Sequence, residues 1–352
     1  VKDKKFLIID SRPYGLFSIF LHTIDNIKWA EDNEYIPVVR WGPGRRDPNA
    51  GRDGAAEASI KAHPSFVKDK NNFLTDNSPP SFNPTPGMKH CQCLYYSPEG
   101  YNDKTNVWEY YFEPLNKFSL EDALNSEHSV SDIFMVGELD FEKENKFLIA
   151  NIHSYEPLLL WSYLGIDILD KEVHKKSDEY YHRKVVNQII EKNVKVRKEI
   201  HKKANTFRSK HFANVPTLGV HVRGTDKKLE YPGRALPLNA YIEAIAIYIE
   251  KFPNAQIYVA SDNNESISVI HKSFKNNKII VYPAVRMKSY QGGVPICLSS
   301  ATSPTHGEEC LIETLLLSQC DNFICTDSNV AAFAMYLNPE MTVQYLNRKF
   351  GV

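Results

Sequence analysis

From Val215 onward, short apolar runs rich in β-branched residues alternate with longer amphipathic ones. This alternation constrains the fold more than any other feature of the 352-residue chain. It predicts strands at about 216–222, 256–260, 278–282, 322–326 and 342–345, and helices at about 238–250, 264–272, 307–319 and 328–336. Alternation at this spacing builds parallel βαβ units, so the expected fold class is α/β. In an open parallel sheet, ligands bind just beyond the carboxyl ends of the strands. Those ends are where function is to be sought.

The first of these strands runs into Arg223-Gly224-Thr225-Asp226-Lys227. His221 and Arg223 are two residues apart, so on a strand they share a face. The planar fork of Arg223 suits a phosphate, and Gly224 lets backbone come close to a ligand. Read this way, the segment is a diphosphate seat. A strand end with a solvated charge cluster is the competing reading, of equal weight. Three further segments agree in character. Ala260 is followed by Ser261-Asp262-Asn263, where Asp262 is either a ligand contact or a helix N-cap. Cys325 is followed by Thr326-Asp327-Ser328-Asn329 at a helix start, where backbone N–H groups and hydroxyls hold anions. Ser328 serves equally well as the cap of that helix. Thr305-His306-Gly307-Glu308 opens a helix that carries Glu309 and Glu313 one turn apart on one face. The Tyr290-Gln291-Gly292-Gly293 loop before it has the composition of a segment that closes on a ligand.

His221-Val222-Arg223-Gly224-Thr225-Asp226-Lys227 resembles the His-x-Arg-x-x-Asp-Lys signature of the superfamily of α1,6-fucosyltransferases and nodulation fucosyltransferases, which includes the protein O-fucosyltransferases. The resemblance is strong over about residues 215–346 and thin over 5–42, with none between about 43 and 180. It implies a GT-B fold, two Rossmann-like domains facing across a cleft, and a metal-independent inverting glycosyltransferase. It implies that Asp262 matches an acidic position near the donor, and that Ser328 and Asn329 match a Ser-rich turn against the nucleotide diphosphate. The expected donor side thus comprises His221, Arg223, Gly224, Lys227, Asp262, Thr326, Ser328 and Asn329. Glu309 joins it by analogy with other glycosyltransferases that use a carboxylate on this helix. The α1,6 enzymes carry a Glu four residues after the signature Lys. Here Glu230 lies three after Lys227 and is the candidate general base, with Asp226 the alternative. The first choice of reaction is transfer of L-fucose from GDP-fucose to a carbohydrate hydroxyl. UDP-xylose or a GDP-hexose as donor is the alternative. A non-catalytic nucleotide- or sugar-binding protein is the alternative of a different class.

The N-terminal part begins in the same style. Phe6 to Ile9 reads as a buried strand, Leu16 to Glu31 as an amphipathic helix and Ile36 to Trp41 as a second strand. The turn between the first two, Ser11 to Gly15, is glycine-rich in the resembling family. Here only Gly15 remains, with Tyr14 beside it, and the pair is either a ligand contact or a tight turn. Residues 42–120 form an irregular, Pro-containing insertion. Its aromatics (Tyr95, Tyr96, Tyr101, Trp108, Tyr110, Tyr111 and Phe112) read first as local core and second as stacking faces for a sugar. Further on, Phe147 to Asn151 reads as a strand, Tyr155 to Leu164 as a helix, and Asp178 to Phe207 as one long helix. The outer face of that helix is basic, from Arg183 to Lys203. The expected division is an N-terminal domain over 1–207, on the acceptor side, and a nucleotide-sugar-binding domain over 208–352.

Net charge is −1, with 42% apolar and 24% charged residues, so no global basic field points to nucleic acid. No apolar run approaches the ~20 residues needed to span a bilayer. The first residues lack the apolar core of a signal peptide. Val1 is not Met, so an excised upstream anchor, and with it a luminal setting, stays open. Of the six cysteines, Cys91 and Cys93 lack zinc-ligand spacing, while Cys310, Cys320 and Cys325 sit in apolar stretches as small core residues do. A soluble protein in a reducing, cytoplasmic setting is expected. The sequon Asn264-Glu265-Ser266, beside a predicted ligand-facing loop, points the same way. No Asp-x-Asp lies between strands, Glu138-Leu139-Asp140 being the nearest approach. No metal or other cofactor is therefore expected, only a nucleotide-sugar donor and a carbohydrate acceptor.

Overall fold

The computed structural model describes residues 2–10, 16–41, 106–131, 175–225, 236–288, 304–326 and 328–346. The chain forms two compact units. One comprises Val1–Leu158, Gln188–Arg197 and Cys297–Gly307, the other Leu159–Asn187, Lys198–Ile296 and Glu308–Val352. Both are α/β with parallel sheets.

In the first unit β1 (Lys5–Asp10) is the central strand, flanked by β2 (Ile36–Arg40) and β3 (His128–Ser131). The run Phe6 to Ile9 is buried throughout, as a strand covered on both faces must be. Helix α1 (Leu16–Asp32) follows, and its apolar positions from Leu16 to Ala30 are all buried. Strand β3 was not anticipated. His-Ser-Val-Ser offers one apolar residue, Val130, too little pattern to announce a strand. Two short helices, α2 (Trp108–Tyr111) and α3 (Leu120–Leu124), lie between β2 and β3 in sequence. Ser119 and Asp122 form a reciprocal capping box at the start of α3.

Of the aromatics read first as core, Tyr95, Tyr96 and Tyr101 lie outside the described residues and three of the other four are core. Trp108, Tyr111 and Phe112 are buried, while Tyr110 is 41% exposed. Trp108 lies 4.4 Å from Phe112 and 5.0 Å from Trp41, centroid to centroid. Trp41 in turn donates its indole N–H to Thr23 Oγ1 at 3.2 Å.

The single helix expected over 178–207 is two helices, α4 (Asp178–Asn193) and α5 (Lys198–His211). The break falls at Val194-Lys195-Val196, where β-branched residues flank a lysine. Val196 instead makes an antiparallel bridge with Phe112. Glu113 N–H donates to Lys195 O at 2.7 Å and Arg197 N–H to Tyr111 O at 2.9 Å. Helical periodicity ran through the break, and only tertiary pairing reveals it. Arg183, expected on the solvated basic face, is fully buried. It pairs with Glu179 one turn earlier and donates to Met341 O at 2.8 Å, while Tyr345 Oη donates to Glu179 at 3.0 Å.

The second unit carries five parallel strands in the order β6-β5-β4-β7-β8. They are β4 (Thr217–Val222), β5 (Gln256–Ser261), β6 (Ile279–Ile280), β7 (Asn322–Cys325) and β8 (Thr342–Tyr345). Connecting helices are α6 (Leu238–Lys251), α7 (Asn264–Ser273), α8 (Pro304–Leu317) and α9 (Asn329–Leu337). Every residue of β4 and β5 is buried. Tyr241, Ala244, Ile245 and Tyr248, at helical spacing on α6, close one side of that core. Gly219 keeps the centre tight: a Cβ there would meet Cys320 Cβ at 3.2 Å and Leu317 Cδ2 at 3.3 Å. Chain order runs outward from β4 through β5 and β6, then returns to β4's other edge with β7. The direction reverses between β4 and β7, and such a switch point is where open α/β sheets leave a crevice for ligands.

Candidate functional site

Three strand ends meet around Arg223, the residue just past β4. Its Nη1 donates to Asp262 Oδ2 at 3.0 Å, and the two side chains are 27% and 11% exposed. Asp262 stands one residue past β5 and gathers several further donors. Gly224 N–H reaches Oδ1 at 3.1 Å, Thr225 N–H reaches Oδ2 at 3.2 Å and Thr225 Oγ1 reaches Oδ2 at 2.8 Å. Asn263 Nδ2 donates to Oδ1 at 2.9 Å. Burial alone would raise this carboxyl, but the Arg223 charge, with the hydrogen bonds from Asn263 and Thr225, outweighs it and holds Asp262 below the usual carboxylate range. The carboxylate therefore stays ionised and fixes both the guanidinium and the backbone of the turn.

The sequence left Asp262 divided between ligand side and helix cap. The cap of α7 is its neighbour: Asn263 Oδ1 accepts from Ser266 N–H at 2.9 Å and Ser266 Oγ at 2.8 Å. Asp262 is thereby turned toward Arg223 instead.

On the other edge of β4, Ser328 caps α9 by accepting from Ala331 N–H at 3.0 Å. The same hydroxyl lies 3.2 Å from His221 Nδ1. Ser328 is thus the cap of α9 and also lies against the strand-end residue His221. Asn329 opens the helix beside it, and its Oδ1 is buried. Thr326 is turned inward, where Tyr241 Oη donates to its Oγ1 at 3.4 Å. Glu309, on α8, accepts from Val285 N–H at 2.9 Å. Glu313, one turn on, pairs with Arg286. Burial pushes the Glu313 carboxyl up to about 7, against the pull of Arg286.

Among the expected site residues, the structure brings together His221, Arg223, Gly224, Asp262 and Ser328. Asp226, Lys227, Glu230, Tyr14 and Gly15 lie outside the described residues, as do Glu138, Asp140 and the loop of Gly292 and Gly293. Thr225 and Arg286 were missed. Thr225 stood inside the signature as a variable residue. Arg286 had no signal, being an isolated arginine in an irregular stretch. Among the described residues, no three His, Cys, Asp or Glu side chains cluster as a metal ion would need. No described helix is long and apolar enough to cross a membrane.

A parallel α/β sheet with a charged clasp and a helix N-terminus at its switch point is where open α/β proteins bind ligands. The particular family follows from the sequence as a whole. The family model for alpha-(1,6)-fucosyltransferase N- and catalytic domains matches residues 94–338, more than two thirds of the chain. The chain belongs to that family and is a glycosyltransferase. The match begins well before residue 180, in a stretch whose motifs showed no resemblance.

Among solved structures, NodZ alpha-1,6-fucosyltransferase soaked with GDP-fucose is 14% identical, with 96% of this chain and 94% of that one covered and a TM-score of 0.48. Fucosyltransferase NodZ from Bradyrhizobium is 15% identical, with 95% and 92% covered and a TM-score of 0.47. POFUT1 in complex with GDP-fucose is 9% identical, with 99% of each chain covered and a TM-score of 0.44. No curated protein sequence matches the chain.

Proposed function

We propose that this glycosyltransferase moves L-fucose from GDP-fucose onto a carbohydrate hydroxyl, with inversion and without a metal. Family membership supports the fucosyl donor. The observation that carries the site is the Arg223–Asp262 clasp at the end of β4, beside the α9 N-terminus. In the reaction the acceptor oxygen bonds to the anomeric carbon while the bond from that carbon to the diphosphate oxygen breaks. Negative charge grows on the departing diphosphate. Arg223, already oriented by Asp262, meets that charge at no reorganisation cost. Lys227 and the N–H groups of α9 add to it. His221, Gly224, Ser328 and Asn329 complete the donor side, and Thr326 supports it from beneath. In this reading the donor domain is the one that carries β4 to β8 and the N-terminal domain is the acceptor side, with the Tyr14-Gly15 turn a contact to either donor or acceptor.

The acceptor proton goes to a carboxylate within about 3 Å, or through one water. Glu230 is that base in our reading, with Asp226 the alternative. Glu230→Gln should lower kcat by ~10²–10⁴-fold, the usual contribution of a positioned base, while leaving nucleotide affinity intact. Normal turnover by Glu230→Gln with a dead Asp226→Asn would transfer the role to Asp226.

The experiment that tests the donor is a thermal-shift panel of GDP, UDP and their sugars, followed by transfer assays with and without EDTA. A ligand at 100 Kd should stabilise the protein by ~2.7 kcal/mol. GDP-fucose should give the largest shift, and turnover should survive EDTA. A preference for a UDP sugar, or loss of activity on chelation, would overturn the donor or the metal-free mechanism respectively. Binding without turnover would leave a sugar-nucleotide-binding protein.

A further inference from the structure

We propose that Arg286 is a positioning residue for the donor site: it ties the 281–288 segment across the end of β5 and so holds Asp262, and through it Arg223. This rests on the reading of Arg223 as the diphosphate contact.

Arg286 is 4% exposed in its side chain and every nitrogen of its guanidinium group is engaged. Nε donates to Ser261 O at 2.9 Å, the last carbonyl of β5. Nη1 donates to Ala284 O and Nη2 to Tyr282 O, both at 2.8 Å, which bends the segment around the guanidinium. Nη2 also meets the Glu313 carboxylate on α8. The segment so shaped runs alongside the residues after β5. Met287 N–H donates to Asp262 O at 3.0 Å and Asn264 N–H donates to Met287 O at 2.8 Å, as a parallel bridge. Glu265 N–H adds a bond to Lys288 O at 3.2 Å.

Asp262 is thus gripped twice. Its side chain takes the donors of the β4 turn, and its backbone is pinned by the segment that Arg286 shapes. A buried arginine is costly unless its donors are all met and a counter-charge stands close. Glu313 is that counter-charge, and the carbonyls supply the rest. β6 is two residues long and pairs only with Ile257 and Tyr258, so the bond from Arg286 to Ser261 O lies beyond that ladder. What it fixes is the direction in which the Asp262 carboxylate leaves the strand. A carboxylate displaced by a fraction of an ångström would carry Arg223 with it.

The test is a double-mutant cycle of Arg286→Gln with Asp262→Asn, read in GDP affinity by calorimetry and in kcat, on variants whose melting transitions are cooperative. A misplacement of about 1 Å costs up to ~10²-fold, so Arg286→Gln alone should lower kcat/KM on the order of 10–10²-fold. In the Asp262→Asn background the same change should have little further effect, since the residue it acts through is already disabled. Additive losses, or unchanged nucleotide affinity and kcat with only a lowered melting temperature, would reduce Arg286 to a structural residue. Should Arg286→Gln not fold, Glu313→Gln keeps the shape, removes the counter-charge, and must move kcat/KM in the same direction. Arg223→Ala separates the two readings. If it binds GDP as the wild type does, the diphosphate assignment fails. If it weakens GDP while Arg286→Gln and Glu313→Gln do not, only the positioning role fails.

Discussion

The two edges of β4 hold the site by different physics. On the β5 edge the join is ionic: Arg223 and Asp262, with Gly224, Thr225 and Asn263 donating to the same carboxylate. On the β7 edge the join runs through a hydroxyl: Ser328 Oγ caps α9 and lies against His221. Charge-assisted bonds are roughly twice as strong as neutral ones. They also leave a buried charge behind when one partner is removed. The β5 edge should therefore dominate both affinity and catalysis, and the β7 edge should tune them. In the first unit the residues that follow the corresponding strand β1 lie outside the described residues, so the comparison is within one sheet.

The largest effect expected is that of Arg223→Ala, about 2–4 kcal/mol of transition-state stabilisation, since a charged donor aimed at developing charge is lost. Arg223→Lys should recover only part, because an ammonium lacks the planar fork that Asp262 and a diphosphate both use. Steady-state kcat/KM checks both, and a wild-type value for Arg223→Ala would remove it from the site. Next comes Asp262→Asn, which keeps the shape but loses the charge. Hydrogen bonds to charged groups contribute roughly 1.5–3 kcal/mol, and a loss of that size in kcat/KM is expected. If Asp262→Asn costs less than the changes on the β7 edge, the proposed asymmetry is wrong.

How much of this was legible beforehand differs between the same two edges. Apart from the strand expected at 278–282, of which only Ile279–Ile280 forms, the strands and helices after Val215 are legible nearly to their observed bounds, because buried parallel strands are continuous apolar runs and the helices between them are periodic. Arg223 and Asp262 were found as polar residues following apolar runs. Which of Asp262 and Asn263 caps α7 was not legible, since both residue types cap well and only the direction of each side chain decides it. Arg286 was invisible for another reason: its partners are mostly carbonyls, and a carbonyl leaves no mark on the sequence. The same holds for the break between α4 and α5, made by pairing with Phe112, and for β3, whose single apolar residue gives no period.

On the β7 edge, Ser328→Ala removes a cap and the contact with His221. Loss of a serine cap costs ~1 kcal/mol, so a modest drop in melting temperature is expected. Nucleotide affinity should weaken less than in Asp262→Asn. Ser328→Asp separates the two functions, because Asp caps a helix well but sets a negative charge where a diphosphate is proposed to lie. Stability should return while GDP affinity falls further. Affinity that recovers along with stability would confine Ser328 to capping.

A change of slope with pH probes the support behind the ionic edge. Burial raises Glu313 from an ordinary 4.5 to about 7, with Glu309 and Asp262 adding to the rise and Arg286 opposing it. A carboxyl with a raised folded-state pKa binds more protons in the folded protein than in the unfolded one between those two values. Stability from this group therefore falls as pH rises through that window and is level above it. Glu313→Gln has no proton to exchange there. The difference in stability between wild type and variant should move against the wild type from pH 5 through pH 7, and level off only above about pH 8. Denaturant melts at each pH measure it, and taking the difference cancels the groups the two proteins share. A difference that stays flat across the whole range would mean that Arg286 keeps Glu313 ionised throughout, so the pair behind Asp262 would be as fully ionic as the clasp in front of it.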